Sequence, residues 1–299
     1  MAEREVSRDL QVKNPAACVR VLACVMFLIA ANVQATDVSA DPSTTSIVAT
    51  RAEYNATLTP GQLVSIDNPY GDVAVRFGGF EHEAEIHTVL QEPVGAAHIN
   101  LEPSVDGEGR YLISPRLPEG VTIAEGQRID LEVFVPEGHA LDVRTEQGQI
   151  EVKGVHGNVN LRSATGNISL RGIKGAIQAE TGAGQIDVSL VTAPRKAKQR
   201  LATSTGDINI AVDDRLDAEL DMATSALFGT EYSLKVARLT GQEPNKRARV
   251  VIGDDASRLV VESRRGQIRL SRRASFTPKG EAASVASGDE EEQEDGDSD

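Results

Sequence analysis

The chain has 299 residues, with 31 Lys and Arg against 45 Asp and Glu, two Cys, six Phe, four Tyr and no Trp. A hydrophobic fraction of 40% with 25% charged residues is typical of a globular protein, which excludes wholesale disorder and a polytopic membrane protein. The formal charge of −14 argues against nucleic acid as the principal partner, because binding to phosphate backbones needs clustered Lys and Arg.

The N-terminus has the pattern of a secretory signal. Residues 21–31 read VLACVMFLIAA, an apolar run that follows Arg20. This run is too short to cross a hydrocarbon core about 30 Å thick, so no permanent span is predicted in the mature chain. Val33 and Ala35 supply the small residues of a cleavage site, which predicts cleavage between Ala35 and Thr36. The long, weakly charged segment before the run leaves an uncleaved anchor or a later start codon as alternatives.

Both cysteines, Cys18 and Cys24, lie inside this predicted signal. The mature protein is therefore predicted to have no disulfide, no thiol chemistry and no cysteine metal site. Export places it in the periplasm or outside the cell, with a core of its own to hold it together. The predicted organisation is a signal peptide (1–35), a linker and first strand region (36–59), a single β domain (60–272) and a disordered acidic tail (273–299).

An internal repeat begins after two looser strand patterns at 63–77 and 129–138. The segments RTEQGQIEV (144–152), RSATGNISL (162–170) and ETGAGQIDV (180–188) align without a gap at a spacing of eighteen. LATSTGDINI (201–210) follows after a four-residue insertion, and LVVESRRGQIRL (259–270) restores the pattern. The stretch 212–256 is interpreted as an irregular coil with a protruding loop.

The columns of this repeat predict the fold. Aligned apolar positions alternate with polar ones, so each strand buries one face. The two clearest columns are Ile150, Ile168, Ile186, Ile208 and Val152, Leu170, Val188, Ile210. A unit of about 18 residues with two short strands cannot bury its apolar face alone, but stacked units can. We therefore predict an all-β, single-domain β-solenoid; an antiparallel sandwich is the alternative.

Glycine marks the turns between these strands, because it adopts turn conformations that other residues reach only at a cost. The predicted structural turn glycines are Gly148, Gly157, Gly166, Gly175, Gly184, Gly206 and Gly266. A polar residue follows the glycine in five of the turns and forms a candidate polar ladder along one face: Gln149, Asn167, Gln185, Asp207 and Gln267. Such stacked side chains can satisfy one another structurally, or present a strip that binds glycan or protein.

Few residues suggest chemistry. The best carboxylate cluster is Asp213, Asp214, Asp217 and Asp221, but its spacing fits no calcium loop. The histidines lack zinc-binding spacings, and no nucleotide-binding or nucleophile motif occurs. We predict no catalytic residue, metal or cofactor. A small basic insertion that could touch anionic lipid is formed by Arg195, Lys196, Lys198 and Arg200.

Three motifs together resemble a known family. Residues 68–75 read NPYGDVAV, residues 135–138 read VPEG, and the repeats follow the pattern TxxGxIxV. The Thr position is occupied by Thr145, Ser163, Thr181, Thr203 and Ser263. Over about residues 60–272 the chain resembles the bacterial "putative adhesin" family, exported proteins with a domain of unknown function. The resemblance implies a β-solenoid in the cell envelope.

These observations favour a non-enzymatic, exported adhesion, scaffold or interaction module whose partner is an unknown envelope protein or glycan. One alternative is a polysaccharide-active β-helix enzyme that uses the carboxylates at 213–221. The other is a self-assembling envelope protein, because the end coils of a solenoid offer unpaired strand edges.

Overall fold

The computed structural model describes residues 46–80, 82–191, 194–213, 215–254 and 257–273. The predicted signal, its cleavage site at Ala35 and Thr36, and the acidic tail beyond residue 273 lie outside these ranges. The described residues form strands and turns, and none forms a helix long and apolar enough to cross a membrane. The strands are β1 (Ile47–Thr57), β2 (Val64–Asn68), β3 (Val73–Phe77), β4 (Glu83–Pro93), β5 (Ser104–Val105), β6 (Tyr111–Ile113), β7 (Arg128–Val135), β8 (Leu141–Thr145), β9 (Ile150–Lys153), β10 (Val159–Ser163), β11 (Ile168–Arg171), β12 (Ile177–Thr181), β13 (Ile186–Leu190), β14 (Lys198–Thr203), β15 (Ile208–Val212), β16 (Ala218–Thr224), β17 (Phe228–Thr230), β18 (Lys235–Arg238), β19 (Lys246–Ile252), β20 (Arg258–Ser263) and β21 (Ile268–Arg272).

The described strands form two sheets. Sheet A has the order β1-β4-β7-β3-β9-β11-β13-β15-β21-β17, and sheet B has the order β18-β19-β16-β20-β14-β12-β10-β8-β2-β6-β5. A strand of sheet B leads through a short turn into a strand of sheet A, as in β8–β9 and β10–β11. Each such pair is one coil, and successive coils pair in parallel. The predicted all-β solenoid with two short strands per coil is confirmed.

The order of coils in the stack differs from their order in the chain at both ends. The coil β2–β3 lies between β6–β7 and β8–β9, and the coil β20–β21 lies between β14–β15 and β16–β17. Residues 63–77, which the sequence suggests as one strand, form the two strands of an inserted coil. The first and last coils of the chain, β2–β3 and β20–β21, therefore each pack between two other coils.

The core is the space between the two sheets. Inward positions of β9, β11, β13 and β15 are apolar and shielded from water, while the positions between them face out. Full burial of one such aliphatic side chain stabilises the fold by about 1.5–3 kcal/mol. Both predicted columns lie in this core, and the last coil adds Ile268 and Leu270 to them.

Antiparallel strands cover the ends of the stack. In sheet A, β4 pairs with β7 and β1 pairs with β4. In sheet B, β19 pairs with β16, β18 pairs with β19, and β5 pairs with β6. The stretch 212–256 thus contains a complete coil, β16–β17, followed by a capping pair of strands.

The turn glycines bring successive coils into backbone contact. A Cβ atom at Gly166 would overlap the carbonyl oxygen of Gly148, and the same relation joins Gly184 to Gly166. Gly148 itself lies against Gly71, and Gly206 and Gly266 continue the line through the inserted last coil. A second line at the opposite turn comprises His139, Gly157 and Gly175. A side chain at these glycines would force the coils apart.

A column of buried polar side chains bonds to the turn backbone, and most of its members bond to the turn of the neighbouring coil. The Thr203 hydroxyl donates to the carbonyl of Gly184 (3.0 Å) in the preceding coil and accepts from the amide of Gly206 (3.1 Å) in its own turn. The Ser263 hydroxyl does the same between Gly206 and Gly266, at 2.8 Å each. These hydroxyls therefore satisfy backbone groups that water cannot reach. In stack order the column is Asn68, Thr145, Ser163, Thr181, Thr203, Ser263 and Thr224.

We predict that Gly166→Ala destabilises the protein by about 3 kcal/mol, because the added methyl overlaps the Gly148 carbonyl. The control is Gly107→Ala, since nothing lies within 4 Å of a Cβ at that exposed position, and it should stay within about 1 kcal/mol of wild type. Urea-induced unfolding measures both. Equal losses at the two positions would contradict the role of turn contact.

We predict that Thr181→Val costs about 1–2 kcal/mol, because the Gly166 carbonyl loses the hydroxyl that donates to it at 2.9 Å. Thr165 provides the matched control, since its exposed hydroxyl also donates to a carbonyl of the preceding coil, that of Glu146 (3.1 Å). Thr165→Val should change the unfolding free energy by less than about 0.5 kcal/mol. Thermal and urea denaturation of both variants measure whether loss of the buried hydroxyl lowers the unfolding free energy more than loss of the exposed one.

Candidate functional site

The outer face of sheet A begins at the residue that follows each turn glycine. The five predicted ladder residues lie there in one line, and Asp72 of the inserted coil joins them. In stack order the ladder is Asp72, Gln149, Asn167, Gln185, Asp207 and Gln267. A short Asx side chain therefore alternates with a longer Gln.

The short members of the ladder bind the backbone of the next coil. Asp72 Oδ1 accepts from the amide of Gln149 at 2.8 Å, and Asn167 Oδ1 accepts from the amide of Gln185 at 2.8 Å. Asp207 Oδ1 accepts from the amide of Gln267 at 2.7 Å. An Asx side chain ends one methylene nearer the backbone than Gln, which suits it to this contact. The ladder is thus part of the coil-to-coil bonding and also borders the solvent.

A second polar column runs beside the ladder. Glu151, Ser169, Asp187 and Asn209 occupy the same outward position on β9, β11, β13 and β15 and pair in register. Asp187 accepts from Gln185 Nε2 (2.9 and 2.8 Å) and from Asn209 Nδ2 (2.8 Å). Carboxylates, a hydroxyl and an amide therefore follow one another on this face at the spacing of the strands, about 4.8 Å.

Cations hold the carboxylates at the β7 side of the face. Arg128 Nη2 lies 2.9 Å from Asp72 Oδ2 and 2.6 Å from Asp130 Oδ1. Arg76 bridges two neighbouring strands, with Glu132 at 2.6 Å and Glu151 at 3.3 Å. The hydrogen bond from Lys153, 2.6 Å away, lowers the pKa of Glu151, and the charge of Arg76 adds to this effect.

The carboxylates that these cations bind line a shallow cleft of about 560 Å³. Its floor contains three residues of each polar column: Asp72, Gln149 and Asn167 of the ladder, and Glu151, Ser169 and Asp187 of the second column. Its wall on β4 includes His87, whose ring lies 5.3 Å from that of Phe134. The cleft combines carboxylates, amides and a hydroxyl in fixed positions, which suits it to hydrogen-bond a polar partner. Among the described residues, no group of three His, Cys, Asp or Glu side chains could hold a metal ion.

The predicted carboxylate cluster lies elsewhere, and its described members have different partners. A hydrogen bond from Arg215 (2.8 Å) lowers the pKa of Asp213 to about 2. Asp217 Oδ1 accepts from the amide of Asp254 at 2.5 Å. Asp221 faces outward on β16 and binds Arg249 (3.0 Å) and Arg258. Asp214 is outside the described residues.

The predicted basic insertion is divided between a turn and a strand. Arg195 and Lys196 are exposed in the turn, whereas Lys198 and Arg200 belong to β14. Arg200 binds Glu180 (3.0 Å) and Glu262 (3.3 Å) on neighbouring strands of sheet B. Half of the insertion is therefore part of the sheet surface.

Asp72 and the second polar column belong to this face but are not among the ladder residues predicted from the repeat. Gly71-Asp72 aligns with Gly148-Gln149, so the motif at 68–75 contains the missing ladder position. The second column is the residue between the two apolar columns of the repeat. The alignment of the repeats is sufficient to predict the residues of this column. It does not predict the cations Arg76 of β3 and Arg128 of β7, because those strands are distant in sequence.

Comparison with known proteins identifies the repeat region. Residues 126–271 match the family model described as Toastrack DUF4097. These residues are similar to a Toastrack DUF4097 domain. The matched segment contains five of the six ladder residues, whereas Asp72 precedes it and completes the face from the inserted coil.

Several solved structures are similar to this chain. One is a putative cell adhesion protein from Clostridium sporogenes, with 12% identity and a TM-score of 0.47, covering 75% of this chain and 100% of that chain. Another is a putative adhesin from Bacteroides fragilis, with 8% identity and a TM-score of 0.31, covering 74% and 97%. A putative lipid binding protein from Parabacteroides distasonis has 12% identity and a TM-score of 0.29, covering 73% and 96%. No curated protein matches the chain.

We predict that Lys153→Met raises the pKa of Glu151 toward its ordinary value, because the variant removes the hydrogen bond that favours the carboxylate. The pKa of Glu151 is lowered in the folded chain, so the stabilisation from its ionised form is present above the unfolded pKa. This stabilisation is lost as the pH falls through the folded pKa. Carboxyl ¹³C NMR titration follows Glu151 directly. Lys174→Met, at an exposed turn, should leave the titration unchanged, and an equal shift in both variants would contradict the assignment.

Proposed function

We propose that the protein is an exported, non-enzymatic interaction module of the cell envelope that binds an envelope protein or glycan on the outer face of sheet A. The observation that carries this proposal is the double column of polar side chains. These groups lie on parallel strands in fixed register, so little side-chain ordering remains to oppose binding.

The bonding within the face supports this role. The described carboxylates of the cleft are engaged by Arg, Lys or amide groups, which keeps them oriented without removing them from solvent. A partner that offers hydroxyl, amide or ammonium groups can bind the remaining lone pairs of these oxygens. Ser169 lies near the middle of the cleft and points outward from β11 between Glu151 and Asp187.

Adhesion or scaffolding is the biological form that we propose for this binding, in agreement with the resemblance to the "putative adhesin" family. Export rests on the apolar run at 21–31, which precedes the described residues. Recognition then belongs to the solenoid face, whereas the acidic tail beyond residue 273 contributes to solubility.

We predict that Ser169→Arg abolishes capture of a partner from solubilised envelope, because a long cationic side chain then fills the cleft. Asn160→Arg is the control, since Asn160 points outward on β10 of the same coil but lies on sheet B. The immobilised wild-type chain and both variants are compared by mass spectrometry and glycan analysis. We expect a protein or glycan that is retained by wild type and Asn160→Arg and lost from Ser169→Arg.

A truncated chain that ends at residue 280 tests whether the partner binds to the face of sheet A or to the acidic tail. Retention of the partner by the shortened chain is expected. Equal capture by both Arg variants, or loss of capture only when the tail is removed, would contradict the proposed binding face.

A further inference from the structure

Strand β1 forms one edge of sheet A. It pairs with β4 along its whole length of 11 residues, from Ile47 opposite Pro93 to Thr57 opposite Glu83. The other edges of the described sheets are β17, β5 and β18, which are 3, 2 and 4 residues long. A long, regular edge strand is a template for pairing with another strand, and proteins usually shorten or interrupt such edges.

Alternate residues of β1 direct their backbone groups away from β4. The carbonyl of Ser46 accepts from the amide of Val94 (3.0 Å), and the amide of Leu58 donates to the carbonyl of His82 (2.7 Å). In an antiparallel pair the bonded residues recur at every second position, so the even-numbered residues bond to β4. The residues that present N–H and C=O groups at the open edge are Ile47, Ala49, Arg51, Glu53, Asn55 and Thr57.

A second copy of β1 fits this edge in one register. Two identical strands that pair antiparallel and overlap completely are centred on Ala52, which places residue 47 opposite 57 and residue 49 opposite 55. The bonding groups match in this register, because odd-numbered residues then face odd-numbered residues. The same register places Arg51 opposite Glu53 of the second copy, twice across the two-fold axis.

The charges of β1 select this register over its neighbours. Arg51 and Glu53 are both exposed, and neither has an ion-pair partner among the described residues. A shift of the pairing by two in either direction would place Arg51 opposite Arg51 or Glu53 opposite Glu53. Opposite charges directly across an antiparallel pair stabilise it, and like charges there destabilise it.

The side chains beneath the edge are also incompletely covered. Val48 is 54% exposed, and Thr50, Ala52 and Tyr54 line a cavity of about 250 Å³ under the strand. In the centred register Val48 lies opposite Ala56 of the second copy, and Thr50 lies opposite its Tyr54. The second strand would therefore cover apolar surface that β4 alone leaves open.

We infer that two copies of this chain associate through antiparallel β1–β1 pairing centred on Ala52, joining their A sheets into one continuous sheet. The contact is isologous, as a two-fold dimer requires. No residue of β1 lines the cleft, so the contact leaves the cleft open and would double the number of clefts in one particle.

Sedimentation equilibrium of the purified full chain, compared with variants in which the charges at Arg51 and Glu53 are reversed, tests this inference. Arg51→Glu and Glu53→Arg each convert both cross-strand pairs from attraction to repulsion, and each should weaken dimerisation at least about tenfold. The double variant Arg51→Glu/Glu53→Arg restores opposite charges in the same register and should return the dimer to wild-type affinity. Both side chains are exposed, so circular dichroism should show the same fold in all four proteins.

Other outcomes overturn the inference. A wild-type chain that is monomeric up to about 0.1 mM leaves the edge to another occupant, such as a terminal segment of the same chain. A dimer that neither single variant weakens uses a different surface. Weakening that the double variant fails to reverse contradicts the register centred on Ala52.

Discussion

The structure depends on how closely the turn of one coil approaches the turn of the next. At Gly148, Gly166 and Gly184 the carbonyl of one turn occupies the space where a side chain of the following turn would begin. Buried hydroxyls fill the gap beside this contact and bond to backbone on both sides, as Thr203 does between Gly184 and Gly206. Aliphatic columns supply the larger part of the stabilisation, but they are compatible with several spacings. The glycine and hydroxyl contacts form at only one spacing between successive turns, so they determine the register in which the coils stack.

This register produces the candidate site. Once the turns are fixed, the residue after each glycine and the residue two positions later must form straight columns on the outer face of sheet A. Asn167 and Asp207 show that the outward groups are themselves bound to the next coil. Stability and recognition therefore share the same side chains, and the polar face can be rigid without being buried. The inserted coil β2–β3 adds Asp72 and Arg76 to this face from a distant part of the sequence.

Much of this could be predicted from the sequence because a solenoid repeats its environment. Ile150, Ile168 and Ile186 recur at a spacing of eighteen for one physical reason, burial between the sheets, so their alignment gives strands, turns and the predicted ladder. Three features could not be obtained in this way. The insertion of β20–β21 before β16–β17 leaves the repeat columns unchanged, so periodicity does not distinguish it from a sequential stack. The capping strand β4 and the edge strand β1 pair antiparallel and obey no repeat. The cations that bind the cleft carboxylates, Arg76 and Arg128, come from strands that precede the regular repeats.

Amide hydrogen exchange tests the central claim most directly, namely that the turns and strands form one cooperative unit. The amides of Gly166, Gly206 and Gly266 donate to buried hydroxyls within their turns. We predict that they exchange with the same opening free energy as the strand amides of Ile168, Ile208 and Ile268, because a turn cannot open without separating its coils. Fast, loop-like exchange at these glycines beside protected strands would show that the strands hold the stack without the turns, and would contradict the account.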